Sequence, residues 1–367
     1  MGNKRRHLLI VTQVVDCTDP FLGFFHGWLA ELAQHVERIE VICLREGEHS
    51  LPDNVHIHSL GKSAQGRPAS GWERLLSRMH YTLRFYQHVW TLRAGYDTVF
   101  VHMNQEYVLL AGWLWKLLGK RIYLWRNHYA GGFLTDIAAM FSTKVFCTSR
   151  YSYTAKYKHA VVMPVGVDTD LFTPRPESRA PRSVLFFGRF SAAKKPDVLL
   201  EALAILCKEN IGFRASFYGS ALPKDAAFRE QVIRRAHAAG LDTIVTFYEG
   251  VPHTEAPGVF SRHEIFVNLG ESGMYDKTIF EAAASGCLVL AASRDFAALT
   301  GERLRIAGAG NPTTTAEKLR EVLALSESER QALAERVRHA ILNGQDLRTL
   351  SARLVVELSS QLPQCRI

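Results

Sequence analysis

The strongest constraint on the fold of this chain is an alternation of short apolar runs with segments of helical periodicity, which occurs twice. In the first half, apolar runs lie at 8–12, 41–44, 98–103, 122–125 and 145–148, with apolar residues three or four apart in 24–35, 72–92 and 107–118. The second half repeats the pattern from residue 183, with runs at 183–187, 214–218, 244–248, 265–269 and 288–291. Buried strands that alternate with helices predict a parallel sheet covered on both faces. We therefore expect an α/β protein with two doubly wound, Rossmann-like domains.

The segment 161–174 interrupts this alternation. It contains two prolines, one glycine and two aspartates without helical period, which is typical of a hinge. A chain of 367 residues is also long enough for two domains. We predict an N-terminal domain over 1–165, a C-terminal domain over 166–345, and a helix in 346–367 that could pack back on the first domain.

The charge balance favours anionic partners. Lys and Arg number 44 against 36 Asp and Glu, a net charge of +8. The six cysteines form no Cys-x-x-Cys pair, so neither a thiolate metal site nor a redox dithiol is expected. Reduced thiols favour the cytoplasm. No apolar run is long enough for a membrane-spanning helix, and the first apolar run is too short for a signal peptide.

Two common nucleotide motifs are absent. The first strand is followed by QVVDCTDPFLGFF, whose only glycine is Gly23, so the dinucleotide-binding G-x-G-x-x-G pattern does not occur there. Gly61-Lys62-Ser63 is not a P-loop, because His56 stands where the first glycine is required. Redox-cofactor and P-loop NTPase functions are therefore disfavoured. No helix-turn-helix, zinc-finger or ribonucleoprotein motif supports a nucleic-acid partner.

Two elements of the second half could bind a phosphate group. The run 183–187 is followed by Gly188 and Arg189, and Lys194 comes just before a helix, at the strand end where ligands bind in open α/β sheets. As isolated loop residues, this arginine and lysine could equally be solvated surface charges. The run 265–269 leads into a Gly/Ser-containing turn and then a helix near 276–278, whose first amide groups and dipole favour an anion. Thr278 and Glu281 also fit a capping box, which is the structural alternative for Glu281.

In this order, the two elements resemble the retaining nucleotide-sugar glycosyltransferases of the GT-B fold, family four (glycosyl transferases group 1). The stretches PVGVDTDLFTP, GRFSAAKKPDVLLEAL and GNPTTTAEKL are similar to segments of that family, so the resemblance covers most of the chain. It implies two Rossmann-like domains that face a cleft. It also implies a UDP- or GDP-linked sugar as donor and retention of anomeric configuration. No metal or other cofactor is expected, because no Asp-x-Asp follows a strand and Asp168-Thr169-Asp170 lies in the hinge.

The resemblance also implies roles for individual residues. Arg189 and Lys194 would hold the donor diphosphate and act in catalysis, and Glu281 would bind the ribose, as the second glutamate of an E-x7-E pattern does. The first glutamate of that pattern would fall on Gly273, a departure from the family. Either Glu271 reaches the sugar from a longer loop, or the backbone of 273–275 replaces it. The other donor-binding candidates are Gly188, Ser272, Gly273, Met274, Tyr275 and Thr278.

Three residues of the first half are candidates for the other side of the reaction. His128 follows the run 122–125, and family members similarly keep a histidine at the end of this strand, so His128 is a catalytic candidate. A lone loop histidine is otherwise more often structural. Gly23 and His26 lie in the loop after the first strand and are candidates on the acceptor side.

Residues 62–93 allow two interpretations. This stretch has six Lys or Arg against the single acid Glu73, and its apolar residues recur at helical spacing. These apolar residues are Trp72, Leu75, Leu76, Met79, Leu83, Tyr86 and Trp90. Such a helix either binds an anionic membrane surface or turns its apolar side to the core and its basic side to solvent. Under the first interpretation the enzyme acts peripherally at the inner face of the cell membrane.

The sequence therefore predicts a metal-independent hexosyltransferase of polysaccharide biosynthesis with a glycan or lipid-linked acceptor. Two alternatives stay open. One is a GT-B-fold sugar-nucleotide epimerase or hydrolase, and the other is a non-enzymatic module that binds anions or nucleic acid.

Overall fold

The computed structural model describes residues 7–63, 71–270, 272–273, 276–308 and 310–359. The chain forms two compact units. Unit 1 comprises the chain up to residue 148, residues 152–163 and the chain from residue 348. Unit 2 comprises 149–151 and 164–347. The Met1–Arg6 segment and residues 64–70 and 360–367 lie outside the described residues.

Unit 1 contains a seven-stranded sheet with strand order β3-β2-β1-β4-β5-β6-β7, in which every pair is parallel. Its strands are β1 (His7–Val15), β2 (Arg38–Glu46), β3 (Val55–Ser59), β4 (Thr98–His102), β5 (Arg121–Trp125), β6 (Lys144–Cys147) and β7 (Ala160–Val162). Its helices include α1 (Phe24–Ala33), α2 (Gly71–Thr91), α3 (Gln105–Leu117) and α4 (Phe133–Phe141). The central strands consist mainly of apolar residues, since helices cover both faces of the sheet. In β1, four consecutive side chains are almost completely inaccessible to solvent: Leu8, Leu9, Ile10 and Val11.

Unit 2 contains a five-stranded parallel sheet with strand order β10-β9-β8-β11-β12. Its strands are β8 (Ala180–Phe187), β9 (Arg214–Tyr218), β10 (Val245–Tyr248), β11 (His263–Asn268) and β12 (Leu288–Ala291). Its helices are α5 (Pro196–Lys208), α6 (Ala226–Ala238), α7 (Ala256–Ser261), α8 (Lys277–Ala284), α9 (Arg294–Thr300), α10 (Pro312–Leu323) and α11 (Glu327–Leu342). The two parallel sheets with intervening helices confirm the predicted α/β class.

Strand order in unit 2 fixes where a ligand can bind. The chain leaves β8 toward β9 on one side, while β11 lies on the other side of β8. At such a reversal of strand order the loops after the two central strands diverge and leave a crevice at the carboxyl edge. The loops after β8 and β11 carry most of the candidate donor residues.

The last helix, α12 (Leu347–Ser359), packs within unit 1. Leu350, Leu354 and Leu358 recur every four residues and are buried. The Lys144 ammonium at the start of β6 contacts a Glu357 carboxylate oxygen of α12 at 2.6 Å. The apolar stripe and this ion pair place the helix beside β6.

Helix α2 corrects one of the two interpretations of residues 62–93. Only Phe85 and Val89 of this helix are buried. The apolar residues Trp72, Leu75, Leu76, Met79, Leu83 and Trp90 are all exposed. The prediction that this stripe faces the core is therefore wrong for these six residues. Of the seven, only Tyr86 is half-buried and packs against the core, next to Phe85 and Val89. Within the described ranges, no helix combines the length and the apolar character needed to cross a bilayer.

Candidate active site

A tight turn at the end of β8 positions Arg189. The Gly188 amide donates to the Tyr218 carbonyl at 3.0 Å, and the φ of Gly188 is +151°, a backbone conformation that favours glycine. A Cβ on Gly219 would collide with the Gly188 carbonyl oxygen, so the close approach of these two strand ends requires a glycine at 219 as well. The turn directs the chain along the carboxyl edge of the sheet.

The next residues bring Lys194 to the start of α8. A short 3-10 turn, Ala192–Lys194, precedes Lys195 in the left-handed conformation (φ 54°), and Pro196 begins α5. The Lys194 ammonium contacts the Asp276 carboxylate, 82 residues later in the sequence. The structure thus joins the two elements that the sequence presented as separate phosphate-binding candidates.

The Asp276 carboxylate connects Lys194 to the end of β11 and to the start of α8. One oxygen of its carboxylate accepts from the Thr278 amide at 3.4 Å and caps α8, and the other accepts from the Asn268 side-chain amide at 2.7 Å. Burial acts to raise the pKa of Asp276, but the Lys194 charge and these hydrogen bonds outweigh it and hold the pKa below its usual range. The start of α8 therefore already carries an anionic group of the chain itself, with Lys194 held beside it.

Glu281 contacts a histidine that the sequence analysis did not identify. A Glu281 carboxylate oxygen lies 3.1 Å from His253 Nε2, and the Glu281 residue is only 4% exposed. The His253 ring packs edge-to-face on Phe172, with 5.3 Å between ring centroids. The capping-box alternative for Glu281 is wrong, because Asp276 caps the helix and α8 begins at Lys277.

Lys277 lies between two carboxylates. Removal from solvent lowers the pKa of Lys277 to about 8, and the charges of Glu281 and Asp168 offset this only in part. Asp168 belongs to the hinge segment, where its carboxylate accepts from the amides of Asp170 and Leu171 at 3.1 and 3.0 Å. Its carboxylate therefore stabilises a local turn.

The turn at Ser272 and Gly273 is tied to the start of α9. Ser272 Oγ accepts from the Arg294 amide at 2.9 Å, and the Gly273 amide donates to the Asp295 carboxylate. Asp295 also accepts from Ser149 Oγ at 2.5 Å. The Gly273 amide is thus engaged within unit 2. Glu271, Met274 and Tyr275 lie outside the described residues.

A cationic pocket opens next to this turn. It has a volume of about 520 Å³. The residues that line it are Lys195, Ser272, Ala292, Arg294, Arg305, Ile306, Gly308, Gly310 and Asn311. Three of them are Lys or Arg, and none of these lining residues is acidic. This side of the carboxyl edge therefore presents a positive potential.

In unit 1, His128 is oriented by backbone contacts. Its amide donates to Ser152 Oγ at 3.3 Å, and that hydroxyl donates back to the His128 carbonyl at 3.1 Å. The imidazole Nδ1 lies 2.9 Å from the Ala130 amide and 3.2 Å from the Ala130 carbonyl oxygen. The shorter contact requires an unprotonated Nδ1, which assigns the proton to Nε2 as a donor.

The other two unit 1 candidates have local partners. Gly23 is buried at the start of α1. His26 Nε2 accepts from the Ser50 amide at 3.1 Å. Burial, together with the neighbouring His49, lowers the pKa of His26, so its imidazole is neutral at pH 7. Among the residues described in either unit, no group of three or more His, Cys, Asp or Glu side chains could hold a metal ion.

His253, Asn268, Asp276 and Asp295 are the site residues that sequence reasoning missed. Asn268 ends β11 and Asp276 stands before α8, so position at a strand end and at a helix start could have identified them. His253 and Asp295 show no such local signal, because only the fold brings them to their partners.

Parts of the chain are similar in sequence to known glycosyltransferases. Residues 181–325 match the family Glycosyl transferases group 1. The D-inositol 3-phosphate glycosyltransferase of Arthrobacter sp. strain FB24 is 33% identical over 151 residues, which are 38% of this chain and 35% of that enzyme. The matched part thus spans about a third of this curated relative.

Two solved structures share the fold over nearly the whole chain. HepE of Anabaena, solved in complex with UDP, has a TM-score of 0.75 at 16% identity and covers 97% of this chain and 100% of its own. WaaG, a glycosyltransferase involved in lipopolysaccharide biosynthesis, has a TM-score of 0.66 at 16% identity, with coverage of 97% and 100%. At this identity the likeness shows the fold alone.

Proposed function

We propose that this protein is a glycosyltransferase, because residues 181–325 match the Glycosyl transferases group 1 family and the chain has the GT-B fold. It transfers a hexose-type sugar from a nucleoside diphosphate to a glycan or lipid-linked acceptor. The observation that carries the proposal is the contact of Lys194 with the start of α8, beside the turn that carries Arg189. Lys194, whose ammonium is held there by Asp276, and Arg189 form a cationic loop at the carboxyl edge of the parallel sheet, where a diphosphate can bind.

The leaving group is stabilised by fixed positive charge. As the sugar–phosphate bond breaks, negative charge grows on the departing diphosphate. Arg189 and Lys194 supply the compensating cations in place of a metal ion. Lys194 has three ammonium protons, so one can remain with Asp276 while others bind phosphate oxygens. Asp276 is a positioning residue, since it fixes the ammonium where the charge develops.

The nucleoside is held on the other side of α8. Glu281 accepts hydrogen bonds from the ribose hydroxyls, and His253 orients its carboxylate through the 3.1 Å contact. The base is uracil or guanine, and HepE, which shares the fold, was solved with both UDP and UDP-glucose. Retention of the anomeric configuration is part of the proposal.

The acceptor binds to unit 1. His128 presents Nε2–H as a hydrogen-bond donor for a sugar or acceptor hydroxyl. Gly23 lines the acceptor site with its backbone, and His26 lines it with the edge of its imidazole ring. We place the enzyme in the cytoplasm, in peripheral contact with the inner face of an anionic membrane, in a pathway of polysaccharide biosynthesis.

A thermal-shift panel tests the proposal. UDP, GDP and their hexose conjugates are each added in the presence of EDTA, and one nucleotide series should raise Tm, since ligands of the native state stabilise it. Arg189→Ala should lose the shift. Arg234→Ala removes a guanidinium that is 68% exposed on α6 and should keep it. The absence of any shift in the unmodified protein, or a shift retained by Arg189→Ala, would contradict the proposed donor site.

A further inference from the structure

The first half of α2 is an exposed helix that carries four large apolar side chains. All ten residues from 71 to 80 are exposed, among them Trp72 (70%), Leu75, Leu76 and Met79. Side chains of this size normally bury against a core or a partner, because apolar area in water is unfavourable. This part of the helix therefore presents a surface that needs a partner outside the described fold.

The exposed apolar residues of α2 lie on one face. Residues 72, 75, 76, 79, 83 and 90 follow helical spacing and form a stripe about 100° wide. The stripe continues onto α3, because Tyr86 Oη and Trp113 Nε1 both donate to the Leu110 carbonyl, at 2.6 and 2.8 Å. Trp113 and Leu117, one turn further along α3, are also exposed. We call these residues of α2 and α3 the α2 surface.

Basic side chains border the α2 surface. Arg78 lies about 60° around α2 from Leu75, at the edge of the stripe, and the only acidic residue of α2 is Glu73. At the end of the helix, the Arg93 guanidinium stacks over the Trp90 ring at 4.2 Å from its centroid. An apolar stripe with Trp at both ends and Arg at its margins matches the layers of an anionic bilayer surface. Its acyl boundary receives the apolar side chains, and its headgroups receive the guanidinium groups.

We propose that the α2 surface docks on an anionic lipid bilayer, with α2 lying in the interface. Electrostatics favours this occupant over a second copy of the chain. Two copies that met through α2 would bring the arginines of both helices together, and like charges at an interface oppose association. Anionic headgroups offer the complementary charge to each of them.

Docking through α2 has a consequence for the reaction. Since α2 connects two parallel strands, β3 and β4, it runs opposite to them, and its exposed first half lies toward the carboxyl edge of the unit 1 sheet. His128 follows β5 at the same edge. The inference rests on the proposed function at this point, because an edge held near headgroups suits an acceptor that is itself lipid-linked.

Vesicle co-sedimentation tests the docking without catalysis. Vesicles of phosphatidylcholine alone are compared with vesicles that also contain phosphatidylglycerol, at low and high salt. The unmodified protein should bind the acidic vesicles, and salt should weaken the binding. Leu76→Glu should reduce the affinity at least tenfold, and the double variant Arg78→Gln/Arg93→Gln about 30-fold.

The control is Val356→Glu, which adds the same charge at an apolar residue that is 66% exposed on α12, and it should bind like the unmodified protein. Leu76 is exposed, so Leu76→Glu should keep Tm within a few degrees, which separates lost docking from lost folding. Equal binding by Leu76→Glu and the unmodified protein would overturn the inference. A concentration-dependent dimer that Leu76→Glu dissociates, without vesicle binding, would overturn it in favour of a second copy.

The two proposals can fail separately. Arg189→Ala should bind acidic vesicles like the unmodified protein, since this residue lies in unit 2. If UDP or GDP raises Tm while no vesicle is bound, the docking inference falls and the proposed function stands. If acidic vesicles are bound and no nucleotide is, the reverse holds.

Discussion

The two units differ in how their candidate residues are connected. In unit 2, ion pairs and hydrogen bonds join the loop after β8, the end of β11 and the start of α8 through Lys194, Asn268 and Asp276. In unit 1, His128 and His26 each bond to a backbone group of their own surroundings. Unit 1 also carries nearly all of the large exposed apolar residues. A prebuilt network suits a ligand common to a family, such as a diphosphate, whereas an open apolar surface suits a partner that differs between members.

The first prediction concerns the two cationic side chains of unit 2 that are proposed to bind the diphosphate. Lys194→Ala and Arg189→Ala should each lower kcat about 10²–10³-fold, the usual cost of losing a preorganised donor to developing charge. Steady-state kinetics with the donor identified by thermal shift measures this. Activity within tenfold of the unmodified enzyme in both variants would refute the assignment.

The second prediction separates the proposed role of unit 1 in the reaction from the proposed role of unit 2 in nucleotide binding. His128→Ala should lower kcat about tenfold or more through lost hydrogen bonding to the reacting hydroxyls. It should leave the nucleotide-induced shift in Tm unchanged, because the proposed nucleotide site lies in unit 2. Exposed His339→Ala on α11 serves as the control. A lost nucleotide shift in His128→Ala would show that the division of labour between the units is wrong.

The third prediction concerns Glu281. Replacing its carboxylate by the neutral amide in Glu281→Gln weakens charge-assisted hydrogen bonds to the ribose, so the donor KM should rise about tenfold with little change in kcat. Glu335→Gln, which changes a half-exposed carboxylate on α11, should leave the donor KM unaltered. An unchanged donor KM in Glu281→Gln would make the His253 contact purely structural.

The fourth prediction is the smallest and depends on pH. Because the folded protein holds Lys277 with a pKa of about 8 against an ordinary 10.5, the unfolded chain binds more protons between these values. Raising the pH through that range therefore favours the folded state. The Tm of the unmodified protein minus that of Lys277→Gln should increase from pH 8 to pH 10.5. The exposed Lys224→Gln should show a flat difference, and a flat difference for Lys277→Gln would contradict the lowered pKa.

Local pattern was sufficient for most strands and for the place of the donor loops. The strands β4 and β12 are buried on both faces, so their apolar character is nearly continuous and easily identified. The strands β3 and β7 escaped prediction because they lie at the edges of the sheet, where half-buried residues leave a weak pattern.

Pairings between distant residues could not be predicted from the sequence. Lys194 and Asp276 are brought together by strand order, and His253 reaches Glu281 from the loop after β10. For α2 the helical period was identified, but period alone does not say which face meets the core. Phe85 and Val89 make that contact, and the larger stripe is left to solvent.

A crystal structure of the protein with the stabilising nucleoside diphosphate, grown in EDTA, tests the central claim most directly. The account predicts phosphate oxygens within hydrogen-bonding distance of the Arg189 guanidinium and the Lys194 ammonium, with the ribose at Glu281. A diphosphate bound elsewhere, with both cationic groups turned to solvent, would contradict it.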